Sequence, residues 1–161
     1  DFRVYYLKNL DNLYVSILLP IEWQFEWIEA WFPNTTWNMW GREPYLLGDH
    51  ESYHGRKQYA QVGGCYYSTR LAVAESLFAE RKQAGSLLFR EIHPGYILPV
   101  GVWNVRESIR HQLKTNYQSF DNLSDALKYA FSKLTIKKNH WLNSSYLLNH
   151  LLFQRRLTEY F

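Results

Sequence analysis

The chain has 161 residues, 47% hydrophobic and 18% aromatic, with a formal net charge of +3 at pH 7. That length and apolar content exclude a disordered segment and suit one domain with its own core, while the mild basicity is compatible with nucleic acid. The single Cys65 excludes an internal disulfide and a cysteine-rich zinc site and fits a reducing, cytoplasmic compartment, and no signal peptide or membrane-spanning apolar run is visible.

Phe2 to Lys8 and Tyr14 to Leu19 are rich in aromatic and β-branched residues around the turn-like Asn9-Leu10-Asp11-Asn12, which predicts a hairpin ended by Pro20. Glu22 to Trp31 has helical spacing, with Trp23, Trp27 and Trp31 on one face. Glu22, Glu26 and Glu29 share another, read as a solvated stripe. Phe32 to Val62 reads as a long irregular loop, the kind that often carries function. Within it His50-Glu51-Ser52-Tyr53-His54 has the spacing that, on a helix, sets two imidazoles around zinc with the glutamate as base. Gly48 and Gly55 bracket it too closely for that helix, so no metal is assigned and Asp49, His50 and His54 are read as polar loop residues.

Gly63-Gly64 opens a helix from about Cys65 to Gln83, closed by Gly85. Ser86 to His93, Pro94-Gly95 and Tyr96 to Trp103 read as strand, turn and return strand. Asn104, with Glu107 three residues on, is expected to cap a helix running to Lys114. A further helix is expected from Asn122–Ser124 to Leu134, a break at Ile136 to Asn139, and a last helix over Ser144 to Phe153. The sum is an α+β domain of antiparallel hairpins packed with four to five helices over 1–153, followed by a tail peptide, 154–161. Starting at Asp1 inside a strand, without Met, it is expected to be the C-terminal part of a longer protein.

The chain ends Gln154-Arg155-Arg156-Leu157-Thr158-Glu159-Tyr160-Phe161. This resembles the peptide by which replication and repair proteins dock on the DNA sliding clamp. One turn of 3₁₀ helix makes an apolar plug of Leu157, Tyr160 and Phe161, with Gln154 as polar anchor. The competing expectation is a tail packed on its own domain, since Leu148, Leu151 and Leu152 precede it at helical spacing.

The Gly63-Gly64 helix start, with hydroxyls on Tyr66, Tyr67, Ser68 and Thr69 and with Arg70 nearby, suits a phosphate. Equally, the glycines could serve a turn and Arg70 a structural ion pair. Strand alternation sends Arg90 and Glu91 to opposite faces, and whichever points inward needs a partner, with Arg106 and Glu107 as candidates. A structural charge network is favoured over a catalytic one. Arg42, Arg56, Lys57, Arg70, Arg81, Lys82, Arg106, Arg110 and Lys114 make a DNA-backbone footprint if they share a face, with Tyr45, Tyr53 and Tyr59 as stacking partners.

Gly63-Gly64-Cys65-Tyr66-Tyr67-Ser68-Thr69-Arg70-Leu71-Ala72-Val73-Ala74-Glu75, the strand Arg90-Glu91-Ile92 and Pro99-Val100-Gly101-Val102-Trp103-Asn104-Val105-Arg106-Glu107 together resemble the C-terminal domain of the Nre-type archaeal DNA repair proteins. The resemblance is strongest over Gln58 to Lys114 and in the tail and thin over Asp1 to Trp40, and the family's N-terminal part is expected to be missing. It implies a DNA repair factor whose partners are the sliding clamp, through Gln154, Leu157, Tyr160 and Phe161, and DNA. Arg56, Lys57, Gly63, Gly64, Arg70 and Arg106 are the DNA or phosphate candidates. The alternative is an enzyme acting on DNA or a nucleotide: a nuclease, glycosylase or transferase. Its pocket would lie between the 42–70 stretch and the Arg90/Glu91 strand, with Glu91, His50 and Arg70 as catalytic candidates. No cofactor is assigned.

Overall fold

The computed structural model describes residues 1–97 and 100–153. Strands β1 (Phe2–Asn9) and β2 (Asn12–Leu19) form the expected hairpin. Its loop is Leu10-Asp11, both at positive φ (48° and 57°), the left-handed turn whose twist matches that of paired strands. Asp11 stays in this conformation with its carboxylate accepting the Gly95 N–H at 2.8 Å.

The helix expected over Glu22 to Trp31 is instead strand β3 (Gln24–Trp31). Residues four apart share a face in a strand as well as in a helix, so the tryptophan spacing fits both. Burial on both faces and pairing on both edges decide for the strand. The expected loop holds β4 (Tyr45–Glu51), antiparallel to β3. Helix α1 (Gly64–Glu80) leads to β5 (Gly85–Ile92), which runs parallel to β3 and antiparallel to β2. With the short β6 (Gln118–Phe120), the sheet order is β4-β3-β5-β2-β1-β6.

Among the described residues no return strand follows Pro94-Gly95. Helix α2 (Gly101–Gln112) begins there, and Asn104 is buried inside it rather than capping it. The reason is that β5 is central: β2 and β3 occupy both its edges, leaving a hairpin partner nothing to pair with. Helices α3 (Leu123–Ser132), α4 (Lys138–Ser144) and α5 (Tyr146–Phe153) complete the chain. Helix α3 begins where expected, and Asn122 caps it, accepting from the Asp125 N–H at 2.9 Å.

Strand alternation builds a core on each face of the sheet. Val15, Ile17, Leu87 and Phe89 pack against Ala126, Leu127, Phe131, Trp141 and Leu148 of α3 to α5. Tyr5, Tyr14, Phe25, Trp27 and Leu88 pack against Tyr66, Val73, Leu77, Val105 and Ile109 of α1 and α2. Each buried large side chain contributes about 1.5–3 kcal/mol.

Two buried carboxylates tie the α3–α5 layer to the sheet. Glu91 accepts the N–H groups of Thr135 (2.9 Å) and Ile136 (2.8 Å). Burial pushes Glu91 up, but hydrogen bonds from His93, Thr135 and Ile136 outweigh it and hold the carboxyl below its usual range. Glu26 accepts the Tyr146 N–H at 2.7 Å and the Ser145 hydroxyl, capping α5. There burial wins and pushes the carboxyl up to about 7.

A folded-state pKa above the unfolded one means the proton is bound more tightly in the fold. Glu26 therefore contributes stability that is fully present below about pH 4.5 and is lost as pH rises through about 7. Relative to Glu26→Gln, the native protein should lose up to about 3 kcal/mol of stability between those limits. Urea melts of both proteins across this range check it, and parallel curves would exclude the titration.

Candidate functional site

Strands β3 and β5 run parallel, and a crevice opens beyond their carboxyl ends, the usual place for a ligand in sheets with parallel neighbours. Here it is a cavity of about 690 Å³, roofed by the 36–47 and 61–65 segments and by the start of α2. Its floor is a buried ion pair. Arg90 and Glu29 are register partners on neighbouring strands, 2% and 4% exposed. Arg90 Nη1 donates to Glu29 Oε1 at 3.0 Å and Nε to Asn12 Oδ1 at 2.9 Å. Glu29 Oε2 accepts from the Trp31 indole at 3.2 Å. Arg90 Nη2 has no hydrogen-bond partner among the described residues. The guanidinium lies 5.3 Å from the Tyr96 ring centroid and 5.7 Å from that of Trp31.

The walls are largely aromatic: Trp31, Trp37, Tyr45 and Tyr96. Gly64 and Gly101 bring the first turns of α1 and α2 to the edge. A side chain at Gly64 would meet a Val102 methyl at 2.6 Å, so this glycine allows α1 to approach α2. Gly63, at φ 71°, turns the chain into the helix. Cys65 also lines the cavity, and burial, aided by the Glu29 carboxylate, pushes its thiol up to about 12. At neutral pH it is a poor nucleophile.

The candidate residues fall in different places. His50 lies on β4 and points to the α5 side, its ring stacked on Tyr146 at 3.8 Å. Burial lowers its pKa. Glu51 points the other way and is buried, accepting from Arg70 Nε (2.7 Å), the Trp23 indole (2.9 Å) and the Tyr66 hydroxyl (3.2 Å). The His50-to-His54 run is thus the end of a strand and a tight turn, and among the described residues no three His, Cys, Asp or Glu side chains are grouped closely enough to ligate one ion.

Arg70 pairs with Glu51, its Nε 2.7 Å from Oε1. Glu91 lies beneath α3 to α5, on the sheet face opposite Arg90 and α1, with its oxygens engaged. The proposed trio of Glu91, His50 and Arg70 is therefore not brought together. Nor does Arg90 join Arg106: Arg106 lies 3.3 Å from Glu107, and Arg110 bridges Glu107 and Glu75 at 2.7 Å each.

The basic footprint is partly neutralised in the same way. Arg56 is clamped by Asp49, Nη2 to Oδ2 at 2.7 Å, on the wall of a second, more open cleft of about 480 Å³. Burial pushes Asp49 up, yet Arg56 and the Gln61 and His50 N–H groups hold it low. Lys57 lines that cleft and is exposed; among the described residues Arg42, Lys57, Arg81 and Lys114 make no ion pair. Gln154, Leu157, Tyr160 and Phe161 lie outside the described residues.

Sequence reasoning missed Glu29, Trp31, Trp37 and Tyr96. Reading Gln24 to Trp31 with period two would have placed Trp27, Glu29 and Trp31 on one strand face.

Together these features define an α+β domain with helices on both faces of a mixed sheet and an aromatic, ion-paired cavity at its parallel edge. The family model described as archaeal Nre, C-terminal, matches residues 51–160, and the one described as archaeal Nre, N-terminal, matches residues 1–38. The chain is 45% identical over 159 residues to DNA repair protein NreB of Archaeoglobus fulgidus, covering 99% of this chain and 40% of that protein. It is 36% identical over 131 residues to DNA repair protein NreA of Haloferax volcanii, covering 78% and 30%. To NreA of Archaeoglobus fulgidus it is 34% identical over 131 residues, covering 81% and 33%. The chain belongs to the archaeal Nre family. It spans between 30% and 40% of the length of these relatives. The N-terminal family region, expected to be missing, is represented by residues 1–38. No solved structure matches the chain.

Glu29→Gln should destabilise the domain by about 3 kcal/mol, because it strips Arg90 of its counter-charge while leaving it buried. Glu29→Gln with Arg90→Met should recover most of the loss. Denaturant unfolding of both variants checks this, and a double variant no more stable than the single one would show that the pair does more than balance its own charge.

Proposed function

We propose that the chain serves in DNA repair, docking on the DNA sliding clamp through Gln154, Leu157, Tyr160 and Phe161 and contacting DNA through its basic central region. The observation that carries the repair reading is 45% identity over nearly the whole chain to a protein named for DNA repair. The clamp reading rests on the sequence of the tail. It gains a physical frame from α5, where Leu147 and Leu148 are buried and fix the last helix from which the tail continues.

For DNA, Lys57 is the cation of the proposed set that makes no ion pair among the described residues. Arg56, Arg70 and Arg106 share their charge with Asp49, Glu51 and Glu107 and serve more to position a backbone than to attract it. Gly63 and Gly64 add amides at the start of the 17-residue helix α1. Clamp and DNA contacts on one chain act together, so each can be modest. The enzyme reading gains a cavity where the 42–70 stretch meets β5. Its catalytic candidates do not converge there, so no reaction is assigned.

Calorimetric titration of a sliding clamp should show micromolar binding, lost at least tenfold on Phe161→Ala or removal of 154–161. The melting temperature should change by no more than about 0.5 kcal/mol of stability implies. A large loss of melting temperature would mean that the tail packs on its own domain. Lys57→Glu should weaken DNA binding and reduce the salt slope by about one. Unchanged DNA affinity would remove Lys57 from the contact.

A further inference from the structure

The cavity beyond β3 and β5 has a specific chemistry. Its interior charges balance, one guanidinium against one carboxylate, so it offers no net charge to hold a free anion. What it leaves open is hydrogen bonding. Arg90 Nη2 is a donor without a partner among the described residues, on a side chain that is 2% exposed. Among the described residues each Glu29 oxygen accepts one hydrogen bond, from Arg90 or from Trp31, and has a lone pair to spare, with the Cys65 thiol beside the pair. A donor and an acceptor thus sit side by side below aromatic walls. At the edge, the start of α1 brings Gly64 to the cavity wall, packed against Val102 of α2. The volume, about 690 Å³, is within the range of small-molecule sites.

A flat heteroaromatic ring with adjacent acceptors and donors meets all of these terms. We propose that this cavity is a nucleobase pocket, in which the aromatic walls stack an unstacked base and Arg90 and Glu29 read its hydrogen-bonding edge. The helix-α1 amides then lie where an attached phosphate would enter. The base comes from DNA, which rests on the DNA-contact reading above. A base already unpaired is favoured because its extrusion costs least. A free mononucleotide carries the same chemistry, so the test separates the two sources.

Trp37 stands at the mouth, 72% exposed, and Trp37→Ala should leave the fold intact. Fluorescence anisotropy would compare three labelled duplexes: fully paired, with a single-guanine bulge, and with an abasic residue in place of that guanine. The bulge should bind about tenfold more tightly than the other two, and Trp37→Ala should abolish the preference. Tryptophan quenching by guanosine and adenosine monophosphates forms the second arm. Equal affinity for all three duplexes together with no saturable quenching overturns the proposal. Quenching that saturates and is lost in Trp37→Ala, without a bulge preference, keeps the pocket but makes a free nucleotide its occupant. Failure to bind any duplex would instead count against the DNA-contact reading, and the quenching arm alone would then decide the pocket.

Discussion

The structure turns on two adjacent charges in a fully buried central strand. All eight residues of β5 are buried, yet the strand carries Arg90 and Glu91 side by side. Alternation sends one to each face, and neither can be left unpaired in a dry interior. Arg90 is met by Glu29 from the neighbouring strand and Asn12 from the hairpin, which holds the α1–α2 face around the cavity. Glu91 is met by backbone N–H groups at Thr135 and Ile136, which fixes the chain between α3 and α4. Both layers are positioned by the demand of one strand for counter-charges.

That demand also joins the two family regions. The N-terminal model covers β1 to β3 and the C-terminal model covers β5 and the helices. In the fold, β5 inserts between β2 and β3, so the sheet is continuous across the match boundary. Glu29 and Asn12 belong to one region and Arg90 to the other. The cavity therefore exists only where the two regions fold together.

Much of the fold was legible in the sequence wherever the signal was local. The first hairpin and the starts of α1 and α3 each depend on residues within a few positions, and the sequence places each of them. Two of the misread elements fail for non-local reasons. Trp23, Trp27 and Trp31 satisfy both periods, and only pairing across the sheet chooses between them. The Pro94-Gly95 turn is present, with the Tyr96 N–H bonded to the His93 carbonyl at 3.0 Å, but β5 has no free edge for a return strand. The site was harder still. Glu29 and Arg90 are 61 residues apart, and their pairing is a property of strand register that no spacing along the chain records. The sequence leaves Arg70 between a phosphate role and an ion pair; the ion pair, to Glu51 at the end of β4, is formed, and it too depends on a residue distant in the chain.

The composition left open whether the aromatic residues form a core or a surface, and the seven tryptophans show that they do both. Trp27 and Trp141 are fully buried, Trp141 packing on Phe89 at 5.1 Å. Trp37, Trp40 and Trp103 are exposed. Trp31 links the two populations: its indole bonds Glu29, and its ring meets Trp37 edge-on at 6.3 Å. A row of rings thus runs from a buried ion pair to solvent. For the nucleobase proposed above, such a row orders the events of binding. Stacking on an exposed ring tolerates any base and needs little desolvation, so it comes first. Hydrogen bonds to the buried pair come second, in a medium where an unmatched donor or acceptor is costly. Affinity then resides at the mouth and discrimination at the floor, because only the floor penalises a wrong edge.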